Sequence, residues 1–274
     1  DDIRAFPFPQ RYRPLGDGLT DGELTELYLA EVEGAIDSLR EKGVALAGML
    51  VCSIFANEGL PSFPGEFMRQ AAALVRAEGG LVIADEVQAG FCRTGRWWGY
   101  EATDFVPDIV TMGKPMGNGL PVAGAAASSE LVDNFRRHKR YFNTFAASPL
   151  QAAAGMAVID VIENEELASN VNKVGAHLLN ELGTFQANCE QLADVRGHGL
   201  FIGMEWVRDR ASKKPDPEGA TAIVNGLRDR GFLIGSAGPN SNILKIRPPL
   251  VFQKEHADLF LTAFEESIRD CVIA

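Results

Sequence analysis

The sequence predicts an α/β fold: a mainly parallel sheet with helices on both faces, joined to a C-terminal α+β domain. Three observations predict it. Short apolar runs alternate with segments of helical period. The runs lack the polar alternation of a half-solvated strand, which marks strands buried on both faces. Beyond Pro149 the pattern changes: strands become fewer and a long helical stretch leads into them. Residues 1–158 are therefore read as part of a larger domain and 159–274 as a smaller C-terminal one.

Pro7, Pro9 and Pro14 make the opening segment extended. A helix follows, with Thr20 as its cap, Glu23 at capping-box spacing, and Leu24, Leu27, Val32 and Ile36 in helical period. "ALAGMLVCSIFA" reads as a buried strand and a loop. The segment from Pro64 to Ala77 reads as a helix stopped by Gly79 and Gly80. "GLVIADE" (80–86), "DIVTMGK" (108–114) and "PVAGAAAS" (121–128) read as three further buried strands. One long helical stretch is expected from "LQAAAGMAVIDVIENEEL" on to "VNKVGAHLLNELGTF". Two short strands in "VRGHGLFIGMEWV", a helix around Ala220–Arg230, the segment "NILKIRPPL" and a last helix from Lys254 complete the chain.

Composition narrows the function. The 274 residues are 46% apolar, enough for a sizeable core, and carry a net charge of −11. That balance argues against nucleic acid or an anionic membrane as partner, since both need a basic face. Cys52, Cys92, Cys189 and Cys271 are dispersed, with no short Cys/His spacing for a metal and no disulfide framework. The expected setting is a reducing compartment, the cytoplasm. The opening Asp1-Asp2-Ile3-Arg4 lacks the order of a secretory leader. The longest apolar stretch falls short of the roughly 18 residues that a membrane span needs.

One stretch asks for chemistry. In "IVTMGKPMGNG" an apolar run delivers Lys114 into a glycine-rich turn, and Asp85 ends the strand before it. Ligands of an open parallel sheet bind beyond the carboxyl ends of its strands. An amine and a carboxylate on that crest suit a cofactor with a carbonyl at one end and a basic nitrogen at the other, such as pyridoxal 5'-phosphate. By spacing alone, Asp85 is equally a loop acid and Lys114 a solvated lysine. "LVIADE" also resembles the magnesium-holding acid of an ATPase, but no GxxxxGK[ST] precedes it. The glycines of "GHGLFIG" are wrongly spaced for a dinucleotide loop.

"LVIADEVQAGFCRTGRWWGYE" followed by "PDIVTMGKPMGNGLPVAG" closely resembles the class III aminotransferases, the ornithine and 4-aminobutyrate type of fold-type-I pyridoxal-phosphate enzymes. "FNTFAASPLQAAAG", "VRGHGLFIGMEW" and "ILKIRPPLVF" resemble later family motifs in the same order. The resemblance implies that Lys114 forms the Schiff base and moves the substrate proton. It implies that Asp85 pairs with the pyridine nitrogen, that Val87 packs on the ring and that Gln88 lies near the phenolic oxygen. Thr144 would reach the cofactor phosphate of a neighbouring subunit, which implies a homodimer with shared sites. The substrates implied are a small amine or amino acid and a 2-oxo acid.

The chain also departs from the family pattern. The glycine-rich loop that grips the cofactor phosphate is not found before Asp85, so the chain is expected to be an N-terminally truncated part of the usual enzyme, with an incomplete large domain. Lys245 stands where many members place the arginine for the substrate carboxylate. Arg247, two residues on, shares its face in an extended segment. Two cations there suit a phosphate dianion; equally, one or both simply face solvent. Cys52 and Ser53 replace a common Glu-Pro. These features lean toward the branch holding alanine–glyoxylate aminotransferases and ethanolamine-phosphate phospho-lyases. The reading is a pyridoxal-phosphate-dependent aminotransferase. Its alternatives are a phospho-lyase on an O-phosphorylated amine and a catalytically silent fragment.

Overall fold

Two four-stranded sheets organise the chain, in a computed structural model that describes residues 2–273. Asp1, which entered the leader reading, and Ala274 lie outside the described residues. The first sheet has the order β1 (Gly48–Cys52), β2 (Leu81–Asp85), β3 (Ile109–Met112) and β4 (Gly124–Ala127). The first three strands are parallel. β4 runs antiparallel to β3, contrary to its reading as one more parallel strand. Only residues 113–123 separate the two, too few for the helical crossover that a parallel return requires.

Strand alternation sorts side chains between the faces. Met49, Val51, Val82 and Ala84 point to one face and are buried under α1 (Asp21–Arg40) and α2 (Phe67–Ala77). Helix α1 starts at the predicted capping box: Thr20 N donates to Glu23 Oε2 at 2.8 Å, and Glu23 N donates to Thr20 Oγ1 at 3.3 Å. Helix α2 starts after Pro64, at Phe67, and stops as predicted before Gly79, whose φ is +80°. The other face carries Leu50, Ile83, Asp85, Ile109 and Thr111 in register. Cover is unequal: Leu50 is 66% exposed, and α3 (Ser129–His138) buries none of its residues.

The long helical stretch is two helices, α4 (Pro149–Asn164) and α5 (Leu167–Asn188). Glu166 breaks it with a left-handed φ of 49°. Ile162 and Leu167, on either side of the break, close on Phe91 and Cys92. From Val171 onward the buried face of α5 belongs to the second core, so the break re-aims the chain from one core to the other.

The second sheet is antiparallel, in the order β5 (Leu192–His198), β6 (Phe201–Trp206), β8 (Ile243–Ile246), β7 (Gly235–Ala237). Helix α5, α6 (Pro217–Asp229) and α7 (Lys254–Ile273) cover it around Leu178, Trp206, Ile223 and Phe264. β7, only Gly-Ser-Ala, carried no sequence signal, and α3 went unread although Ser128 caps it and Leu131, Val132 and Phe135 stand at helical spacing.

The loop after β1 clasps the second sheet. Lys245 Nζ donates to Ala56 O at 2.9 Å and Gly238 N to Asn57 O at 3.0 Å. Arg196 donates to Gly59 O at 3.0 Å and to Leu60 O at 3.1 Å. Arg196 also pairs with Glu205 at 2.8 Å, and Arg13 reaches the same carboxylate at 2.6 Å. The Glu205 and Arg196 side chains are only 1% and 5% exposed. Glu205→Ala leaves Arg196 buried beside only the partly exposed Asp194, and should cost about 3–5 kcal/mol of stability in urea unfolding. A loss below about 1 kcal/mol, the size of a surface pair, would contradict this.

Candidate functional site

β2 and β3 run parallel, so Asp85 and the residues after Met112 leave the sheet at the same end. Gly113 is extended, with φ −179°, and the chain then turns sharply through a 3-10 segment, Lys114–Gly117. Lys114 opens it with a left-handed φ of 42°. That conformation costs a non-glycine residue about 1–2 kcal/mol, and strain of this kind gathers at functional sites. The Lys114 side chain is exposed and makes no hydrogen bond or ion pair among the described residues.

Asp85 closes β2, in register with Cys52 on one side and Thr111 on the other. Its Oδ1 accepts from Val87 N at 3.0 Å, which folds the chain after the strand. No cation pairs with it among the described residues. Burial pushes the Cys52 thiol up, so the neighbour of Asp85 stays neutral. Val87 reaches across to the lysine strand: a Cβ built on Gly113 would lie 3.9 Å from Val87 Cγ2. Glu86 points the other way and is fully buried. Its carboxylate takes the Ser53 hydroxyl, Gly99 N at 2.7 Å and Tyr100 N at 3.0 Å. Burial pushes its pKa up, against these donors. Ser53 thus serves Glu86, and together they pin the loop behind Asp85.

Gln88 leads to the second sheet. Its Nε2 donates to Asn57 Oδ1 at 2.9 Å, and its Oε1 faces Lys245 Nζ at 3.5 Å. Lys245 is half-buried; burial and the charges of Arg247 and Lys114 push its pKa down. Arg247 is exposed and makes no ion pair among the described residues. Burial, helped by Arg247, brings Arg93 down to about 10. Arg93 donates to Pro248 O, and to Leu200 O at 3.3 Å, fixing the segment just after Arg247.

The structure therefore links Gln88 to Lys245, sets Val87 beside the lysine turn, and puts Asp85 and Lys114 at one end of the sheet. Arg247 extends the group along β8. Thr144 is not joined to it: it is exposed on a turn, and no contact among the described residues ties it to Lys114 or Asp85. Sequence reasoning missed Asn57, Glu86 and Arg93. The Glu of "ADE" was a visible signal; the other two depend on contacts across the fold. An amine and an acid without ion-pair partners among the described residues, on adjacent strand ends, could hold a ligand that bears a carbonyl and a basic nitrogen. No group of three or more His, Cys, Asp and Glu among the described residues could hold a metal ion.

The fold is that of the pyridoxal-phosphate-dependent transferases, as the comparisons with known proteins show. The family model for class-III aminotransferases matches residues 3–268, and the chain belongs to that family. It is 37% identical to an alanine–glyoxylate aminotransferase 2-like protein of Drosophila melanogaster, over 98% of this chain and 55% of that protein. It is 36% identical to ethanolamine-phosphate phospho-lyase homolog 1 of Caenorhabditis elegans, over 97% of this chain and 60% of that one. A solved phospholyase from Arthrobacter, in complex with phosphoethanolamine, superimposes with a TM-score of 0.92 at 40% identity, over 97% of this chain and 63% of that one. An (S)-enantioselective omega-transaminase from Thermomicrobium roseum gives 0.86 at 28%, over 97% and 59%. The chain thus spans little more than half the length of these relatives.

Proposed function

We propose that the chain is the lysine-bearing part of a pyridoxal-phosphate-dependent aminotransferase that moves an amino group from an amine or amino acid to a 2-oxo acid. The observation that carries this is the pairing of an unpartnered, strained Lys114 with an unpartnered Asp85 on adjacent parallel strand ends. Pyridoxal phosphate, when bound, supplies the electron sink that lets a Cα–H bond break. Lys114 Nζ holds the cofactor covalently and, once displaced by the substrate amine, moves the proton at substrate Cα. Asp85 keeps the pyridine nitrogen protonated through its negative charge. Val87 would pack on the ring, and Gln88 would lie by the ring oxygen. Thr144, exposed and away from these groups, fits a role in a neighbouring subunit's site, so a homodimer belongs to this reading. Cytoplasmic residence rests on four free cysteines; two relatives, from Arabidopsis thaliana and Homo sapiens, are named as mitochondrial.

The test is transfer from a panel of amino donors to glyoxylate or another 2-oxo acid, by protein loaded with pyridoxal phosphate. No transfer with any donor would overturn the reading.

A second reading, phospho-lyase action on an O-phosphorylated amine, is favoured by one observation. Arg247 has no carboxylate partner among the described residues, and Lys245 and Arg93 stand near it. Such a cluster suits a dianion better than a neutral side chain. Phosphate release from phosphoethanolamine without an amino acceptor would favour this reading. On either reading, Arg247→Ala should raise KM for a phosphorylated amine about tenfold more than for a simple amine, ~1.4 kcal/mol of selective binding. Equal effects on both would rule out anion recognition there.

A further inference from the structure

Gln88 stands between two partners of opposite hydrogen-bonding character: Lys245 Nζ faces its Oε1 at 3.5 Å, and Asn57 Oδ1 accepts from its Nε2 at 2.9 Å. An ammonium group has no acceptor, so the side of the amide turned to Lys245 is the carbonyl oxygen. The NH2 side then faces Asn57, and Asn57 must offer its own oxygen. Both partners are themselves fixed. Lys245 lies on β8, paired with β6 and β7, and its Nζ also donates to Ala56 O at 2.9 Å. The Asn57 main-chain carbonyl accepts from Gly238 N at 3.0 Å. Arg247, Lys114, Glu58 and Cys52 are the other charged or titratable groups around Lys245, and none of them bonds the Gln88 amide. Asn57 takes one of the two hydrogens on Nε2 and leaves the second for a ligand.

We propose that Asn57 and Lys245 are positioning residues that lock the Gln88 amide in one of its two flipped orientations, so that it presents an N–H donor, and not its carbonyl, to the ring oxygen of pyridoxal phosphate. This rests on the reading above, in which Gln88 lies by that oxygen. A donor toward an anionic oxygen forms a charge-assisted bond; the flipped amide would set two acceptors against each other. Asn57 acts only through Gln88, and that separates the proposal from a general structural role.

The test is a pH titration of the visible absorption band that depends on Lys114, in the full chain loaded with pyridoxal phosphate. Loss of a donor to the ring oxygen strengthens the oxygen's hold on the neighbouring proton, so the midpoint rises. Gln88→Ala should raise it by about one pH unit, and Asn57→Ala, which leaves Lys245 on the carbonyl side, by a smaller part of that. In the Gln88→Ala background, Asn57→Ala should add nothing, as non-additivity requires of residues acting in series. Asn57 is exposed and its loop is held through the main chain, so the alanine variant keeps the fold. A midpoint unmoved by Asn57→Ala, or the same shift with and without Gln88, overturns the proposal. If no Lys114-dependent band forms, the functional reading fails, and the unloaded protein still decides the inference. There the Gln88 side-chain amide protons should exchange about tenfold faster in Asn57→Ala, for the loss of roughly one hydrogen bond. Equal exchange would overturn it.

Discussion

Lys114→Ala should abolish covalent attachment of pyridoxal phosphate and lower turnover to background. Lys245, the lysine whose charge is felt near Lys114, spends its amine on Ala56 O and Gln88 Oε1. The expected loss exceeds the ~3 kcal/mol typical of a single electrostatic contact, because it removes the attachment point and the proton carrier together. Borohydride reduction of the loaded wild-type protein, followed by peptide mapping, gives a direct reading. A label on any peptide lacking Lys114 contradicts the assignment. The backbone makes the same point: a left-handed φ at a lysine is uphill for folding. Lys114→Gly should therefore be at least as stable as wild type in thermal unfolding, while equally inactive.

Asp85→Asn should separate binding from catalysis. Anchoring through Lys114 remains, so the cofactor stays attached. On the proposed reading the substitution removes the negative charge that would hold the pyridine nitrogen protonated, and turnover should fall by about 3 kcal/mol, more than a hundredfold. The Val87 N hydrogen bond to the residue 85 side chain survives in asparagine if the amide oxygen faces it, so the loop after β2 keeps its place. Single-turnover kinetics with the loaded variant would check this. A rate within about tenfold of wild type, ~1.4 kcal/mol, contradicts the role given to Asp85.

Much of this site was legible in the sequence because it is local. Asp85, Val87 and Gln88 follow one strand within four residues, and Lys114 follows the next strand within two. Strand ends are marked by apolar runs, and the parallel pairing of β2 and β3 brings both ends to one crest. What could not be read was long-range. Asn57 meets Gln88, 31 residues on, and Arg93 meets Pro248 across 155. Neither has a spacing that a linear pattern can show. The antiparallel turn of β4 followed from the length of its connection. The break between α4 and α5 was hidden because Glu165 and Glu166 are unremarkable in composition. It is set by which core Ile162, Leu167 and Val171 enter.

The loop after β1 has a thermodynamic consequence. Ala56 and Leu60 pack in a small buried cluster with Phe201 of the second sheet, and the carbonyls of residues 56, 57, 59 and 60 take hydrogen bonds from Lys245, Gly238 and Arg196, all in the second half of the chain. Melting the second sheet alone would forfeit all of these hydrogen bonds at once, about 1 kcal/mol net for each. A partly melted species of that kind is too costly to accumulate. The two cores should therefore melt as one cooperative unit, giving a single calorimetric peak whose van't Hoff and calorimetric enthalpies agree. Two resolved peaks would show that the halves are energetically independent.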